Sequence, residues 1–340
     1  MALPEPRGAV TELLLGALPR PAVPIPAAEP DGPEDLHLAL YLCYELHYRG
    51  LPGVDERWEW EPSLLALRAG LERRFEEELR RDVPVPRVPG DGTMDLALRA
   101  IAGADDGPSL SRHLERRGTL EQYLEFVAHR SAYQLKEADP HSWALPRLSG
   151  GPKAAMVEIQ ADEYGGGDAD RIHAALFARA MDALGLDSRY GAYVDDLPAV
   201  TLATVNLMSM FGLHRRLRGA IVGHLALFEM TSSVPNRRYA NGLRRLGFGD
   251  DATAFYDEHV VADAVHENVA AVDLAGGLAS QEPALAADIL WGAAALVELE
   301  ARFARHLLAA WEAGRSSLRR AIAPPAAAAG TAASPGAPAR

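Results

Sequence analysis

The chain has 340 residues, 48% of them hydrophobic and 24% charged, enough to bury a sizeable core in one large domain or two modest ones. A formal net charge of -13 argues against nucleic-acid recognition by phosphate neutralisation, and the Arg-rich stretches are interleaved with acidic or apolar residues, as solvated helix faces are. The one cysteine, Cys43, cannot make an internal disulfide and lies in the apolar run LALYLCYEL, so it is expected as a small buried hydrophobe.

Residues 1–33 join a short apolar run, TELLLGALP, to a proline-rich stretch, and are expected to form a flexible arm. No basic segment leads into an apolar core there, and no apolar run in the chain is long enough to cross a bilayer. A cytoplasmic protein without a membrane anchor is the expectation. From residue 34 onward the apolar positions recur with helical period, and alternating β-branched runs are scarce. The spacing predicts helices over 34–48, 62–81, 94–102, 109–116, 119–138, 152–163, 169–184, 197–212, 215–231, 235–246, 251–274 and 283–312. Gly165, Gly166 and Gly167 punctuate one pair, and Asp250 and Asp251 are placed to cap the helix that follows them. The Ala, Pro, Gly and Ser mixture of 315–340 buries too little to order itself and is expected to be a disordered tail. Residues 34–314 are thus expected to form one all-α domain.

The chemistry concentrates in the segment DEHVVADAVHENV, where His259, Asp263 and His266 follow His-x3-Asp-x2-His spacing. At about 3.6 residues per turn these three fall on one stripe of a helix. Two imidazoles and a carboxylate on a core-facing stripe cost stability unless something such as a metal ion pairs with them. Upstream, Glu229 stands in the apolar run GHLALFEM, with His224 on another side of the same helix as an outer or surface residue. Further upstream, Glu163 ends a helix, the glycine triplet turns the chain, and His173 enters the next helix; Glu158, Asp162 and Asp170 compete with Glu163 there. Tyr133 and Glu137 sit four apart near the end of an earlier helix. Histidines with several converging carboxylates suit a pair of iron or manganese ions in a helical bundle. The His-Glu-x2-His zinc-protease motif, zinc-finger cysteines and phosphate-binding glycine loops are all missing.

In chain order, Glu137, Glu163, His173, Glu229, His259, Asp263 and His266, with EIQADEYGGG and FEMTSSVPNRRYANGLRRLG around them, resemble the iron-containing redox enzymes of the heme-oxygenase-like diiron oxidase and oxygenase superfamily. The likeness spans roughly residues 120–312. It implies a heme-oxygenase-like helical bundle carrying additional N-terminal helices. It also implies that the seven residues hold two ferrous ions and that O2 is the cosubstrate. The partners implied are a small-molecule substrate of amine, amino-acid or fatty-acid type and an external electron donor, with a homodimer as the default assembly. Tyr133, Tyr164, Phe177, Met181 and Phe228 are the candidates to line a substrate pocket, although each also suits plain core. Rival readings on the same scaffold are a cofactor-independent or mononuclear-metal enzyme, and a metal-binding protein without catalysis.

Overall fold

The computed structural model describes residues 3–87 and 93–322, with the side chains of Asp263 and Ala264 left outside the description. Its helices are α1 (Ala9–Ala17), α2 (Pro33–Glu45), α3 (Pro62–Asp82), α4 (Met94–Gly103), α5 (Leu110–Arg117), α6 (Leu120–Gln134) and the single turn α7 (Asp139–Ser142). They continue with α8 (Gly150–Glu163), α9 (His173–Ala183), α10 (Ala199–Leu213), α11 (Arg218–Arg245), α12 (Asp250–Asn268), α13 (Gly277–Gln281) and α14 (Ala286–Glu312). No strand occurs among the described residues, so the all-α expectation holds.

The long helix α11 is the spine, packing on α12, α14 and α5. It can lie against α14 because both backbones carry glycine at the crossing. A Cβ on Gly223 would collide with the carbonyl of Ile289, and one on Gly292 with that of Ala220. Around this pair, α9 packs on α12 and α10 packs on α2 and α14. Apolar side chains fall into two clusters, and α6 feeds both, with Ala132 and Tyr133 in one and Phe126 and Val127 in the other. Cys43 is buried, and burial pushes its thiol up to about 12, as suits an inert core position. No helix among the described residues is long and apolar enough to cross a membrane.

Four expectations need correction. First, the segment read as a flexible arm contains α1, whose Val10 and Leu14 are buried. The carboxylate of buried Asp35 on α2 accepts the backbone N–H groups of Val10 at 3.0 Å and Thr11 at 2.8 Å, satisfying donors that begin α1. Second, the two helices predicted over 215–231 and 235–246 are the single helix α11, which runs through Pro235. One turn earlier the hydroxyls of Thr231 and Ser232 donate to the carbonyls of Leu227 and Phe228, and packing against α12 and α14 holds the rest. Third, the helix predicted to 274 leaves α geometry at Val269 and continues as a π-helix to Gly276, just past the last histidine of the stripe. Its first turn holds Asp250 and Asp251, but the residue at its N-cap is Gly249, without a side-chain bond. Fourth, order continues past 314: Ser317 is buried and donates through its backbone N–H and Oγ to Glu125, at 2.9 and 2.6 Å. The remainder of the expected tail, 323–340, lies outside the described residues.

One buried histidine gives the bundle an acid sensitivity. His37 on α2 meets Phe75 edge-on at 4.8 Å and is pushed down to about 4, by burial first and then by Arg302. In the unfolded chain the same ring protonates near ~6.5. Below that pH the unfolded state binds more protons, so the contribution of neutral His37 is complete above ~6.5 and drains away as pH falls toward 4. The loss should be about 1.4 kcal/mol per pH unit within that window. Urea unfolding at pH 7 and pH 5 checks this: wild type should lose about 2 kcal/mol more between those pH values than His37→Leu does, and equal losses would contradict it.

Candidate metal centre

Three local features deliver the acids and histidines to one place. The first is the turn after α6. This helix ends at Gln134, short of the predicted 138, so Glu137 sits in a turn closed by Lys136 N–H donating to the Tyr133 carbonyl at 2.8 Å. The chain then passes Ala138 at φ 72°, the left-handed region, which costs a residue with a Cβ of order 1 kcal/mol. The second is the glycine triplet, where φ is 70°, 62° and 91° at Gly165, Gly166 and Gly167. A Cβ on Gly165 would lie 2.8 Å from the backbone of Arg171 and Ile172. Only glycine lets the chain double back so tightly, and the fold-back sets Glu163, the last residue of α8, against His173, the first of α9. The third is the stripe on α12, where His259 and His266 face inward toward Glu137 and Glu229.

Glu137, Glu163, His173, Glu229, His259 and His266 are all buried. They form two overlapping groups whose candidate ligand atoms lie within 4.8 Å of one another. One group is Glu137, Glu163, His173 and His259; the other is Glu163, Glu229 and His266. Glu163 belongs to both. His173 Nδ1 is 2.9 Å from Glu163 Oε2, His259 Nε2 is 3.4 Å from Glu137 Oε1, and His266 Nδ1 is 3.4 Å from Glu229 Oε2. Asp263 lies on α12 between the histidines, and its side chain is outside the described residues.

The outer contacts of the histidines fix which ring nitrogen faces inward. His259 Nδ1–H donates to the Phe255 carbonyl at 2.7 Å, leaving Nε2 for the centre. His266 Nε2–H donates to Asp162 Oδ2 at 3.0 Å, leaving Nδ1. Such acceptors orient metal-binding imidazoles and raise their basicity. Asp162, a competitor of Glu163 when judged by spacing alone, is thus the outer partner of His266, while the adjacent Glu163 points inward.

The electrostatics fit a cation. Burial, and then Glu229, push Glu163 up to about 8, and burial also raises Glu137. Burial and then the facing His259 ring hold His173 down to about 4. His266 behaves oppositely: burial opposes its charge, but the Glu229, Asp162 and Glu163 carboxylates outweigh it and raise the ring to about 9. Without a cation, buried carboxylates must take up protons to share this space. Glu137 Oε2, Glu163 Oε2, His173 Nδ1 and His266 Nδ1 are buried and make no well-aligned hydrogen bond, although His173 Nδ1 and His266 Nδ1 each have a carboxylate oxygen close by. Orphaned acceptors of this kind cost of order 1–3 kcal/mol each, and metal ions would satisfy them together. The donor set of imidazole and carboxylate suits iron or manganese.

Beside the centre is a cavity of about 10 Å³, lined by Tyr133, Glu137, Gln160, Glu163, Phe228 and Ser232 among others. Of the candidate pocket residues, Tyr133 and Phe228 reach it and the other three do not. Phe177 and Met181 follow His173 along the buried stripe of α9, one and two turns farther from the centre, and pack into the second apolar cluster with Phe255. Tyr164 instead donates from its hydroxyl to Asp139 at 2.9 Å and meets Ser142, also at 2.9 Å. His224 is buried, not at the surface: its Nδ1 lies 3.1 Å from His141 Nε2, a pair invisible at 83 residues of separation.

The sequence profile of a family described as iron-containing redox enzyme matches residues 124–301, more than half of the chain. The chain belongs to this family. All six described ligand candidates lie within the matched region, and the all-α architecture is the heme-oxygenase-like one expected of it. The chain is also 31% identical over 137 residues to nitrosourea synthase from Streptomyces achromogenes subsp. streptozoticus. That stretch is 40% of this chain and spans 29% of the length of the relative.

The shared position of Glu163 has a consequence for metal binding. Ferrous binding should survive at one site in Glu137→Ala, through the Glu163, Glu229 and His266 group, and at the other in Glu229→Ala. Glu163→Ala should weaken both. Asp162→Asn should cost the His266 site about tenfold in affinity, in the range typical of outer hydrogen-bond partners. Anaerobic equilibrium dialysis against Fe2+ reads all four; a Glu163→Ala protein that keeps full stoichiometry and affinity would contradict a shared carboxylate.

Proposed function

We propose that this chain is a non-heme diiron oxidase or oxygenase that uses O2 to oxidise a small nitrogen-bearing organic substrate. The observation that carries the reading is the overlap of two buried ligand groups at Glu163, the arrangement expected of a carboxylate placed between two ions. Two ferrous ions held there would supply the electrons and open coordination positions for O2 activation, chemistry no side chain provides. An external electron donor would be needed wherever the substrate itself supplies only part of the electrons.

The protein's own contribution is binding, orientation and exclusion of water. His173, His259 and His266 would bind as neutral rings, the last two with tautomers set by Phe255 and Asp162. Glu137, Glu163 and Glu229 would supply oxygens and balance charge. The adjoining cavity, about 10 Å³, has room for roughly one water-sized molecule, so an organic substrate must displace part of its wall. Tyr133 and Phe228 also wall a neighbouring cavity bounded by Arg130, Thr204, Met208, His224 and Glu300. They are therefore the side chains whose movement would join the two spaces. Gln160, Ser232 and His141 make the inner lining polar, which supports an amine or amino acid over a fatty acid. The likeness to a nitrosourea synthase supports the same choice, oxidation at nitrogen.

The test is single-turnover chemistry. Diferrous protein mixed with O2 and a panel of amines, amino acids and ureas should consume O2 faster with one substrate class, yielding a product heavier by one oxygen. His266→Ala should abolish the effect. Stoichiometric iron with no substrate-dependent O2 consumption would leave a metal-binding protein without this catalysis and would sink the proposal.

A further inference from the structure

Lys136, one residue before Glu137, is the most completely buried lysine chemistry in the fold: its side chain and that of its partner Glu45 are both fully enclosed, with an ion pair from Nζ to Glu45 Oε1. Its ammonium lies 4.3 Å from the Tyr48 ring centroid and 5.1 Å from that of Tyr41. Glu45 is held in turn by the Tyr190 hydroxyl, which donates to its second oxygen at 2.6 Å. Burying two charges is expensive, and replacing such a pair by apolar residues is often neutral or stabilising. General stability is thus a poor explanation for the pair, whereas fixing one local geometry is a better one.

The geometry it fixes is the turn that presents Glu137. Three residues of that turn are tied to distant parts of the chain. The Leu135 carbonyl accepts from Arg49 at 2.9 Å, Lys136 is clamped by Glu45, and the Ala138 carbonyl accepts from Gln160 at 2.9 Å. Ala138 itself keeps a left-handed backbone that an alanine would leave if the surroundings let it. Glu45 ends α2 and Arg49 follows it, so two of the three ties come from a part of the chain N-terminal to the matched family region.

We infer that Lys136 and Glu45, with Arg49 behind them, are positioning residues for Glu137: α2 acts as a latch that sets the first carboxylate of the metal centre. The inference rests on the diiron reading and deepens it. Lys136 touches neither the other ligands nor the cavity; it acts through the backbone of its neighbour. The latch gives the additional N-terminal helices a role in metal binding that their distance in sequence conceals.

The prediction is an affinity loss confined to one of two sites. Lys136→Met combined with Glu45→Gln removes the ion pair without stranding a charge and leaves Tyr190 an acceptor. In a His266→Ala background, where the Glu137 group remains, this pair of changes should weaken ferrous binding by about tenfold or more, as losses of outer contacts do. In a His173→Ala background, where the Glu229 and His266 group remains, affinity should stay within about threefold, against that same scale. Lys136→Arg, which keeps the charge, should restore part of the loss. Equal losses in both backgrounds would reduce the pair to a general structural role and overturn the inference, as would no loss in either. If the double variant does not fold, Arg49→Met serves in its place with the same criterion, since it removes the tie to Leu135, together with the guanidinium over the Tyr190 ring at 4.4 Å, and leaves both members of the Lys136–Glu45 pair present. Wild-type protein that binds no iron would instead fail the diiron reading itself, so the two failures are distinguishable.

Discussion

Glu163 is the constraint on which the rest of this structure depends. It is a buried carboxylate facing His173 on one side and the Glu229–His266 pair on the other, with Glu137 and His259 completing the first group. Buried carboxylates this close repel one another in a medium that screens poorly, and the protein answers with raised proton affinity at Glu163, Glu137 and His266. Protons are a partial remedy, because they leave ring nitrogens and carboxylate oxygens still orphaned. Divalent cations would satisfy charge and coordination at once, so folding and metal binding are coupled through the same atoms.

The surrounding architecture can be understood as the means of holding those atoms still. The two turns that feed the centre carry unusual backbone: Ala138 before α7 is the one non-glycine residue at positive φ among the described residues, and Gly165–Gly167 before α9 are three positive-φ glycines in a row. The regular elements provide rigidity: α11 lies against α14 through Gly223 and Gly292, and α12 packs along α11, so Glu229 and the histidine stripe are set by helix-to-helix contact. The N-terminal helices join the same task through Lys136 and Glu45. The small cavity beside these ligand candidates is walled in part by Tyr133 and Phe228.

How much of this was legible in the sequence follows from how local each feature is. His259 and His266 were readable because i and i+7 on one helix share a face whatever the tertiary context. The turn between Glu163 and His173 was readable because three consecutive glycines have few other uses. The choice between Asp162 and Glu163 was not, since adjacent residues at a helix end differ only in direction, and direction is set by α12. The early end of α6 was equally hidden: nothing in QLKEAD forbids helix, and the turn exists because Glu45, Arg49 and Gln160 hold it. The docking of α1 and the continuity of α11 through Pro235 are hidden in the sequence for a common reason, that tertiary contacts override what the prolines signal.

The most direct measurement is the position and number of the irons. Crystals of anaerobically loaded protein, with diffraction data collected on both sides of the iron absorption edge, should give two anomalous peaks flanking the Glu163 carboxylate, one beside His173 and His259 and one beside His266. A single peak coordinated by only one of these groups, or iron bound elsewhere with Glu163 protonated and uncoordinated, would contradict the account.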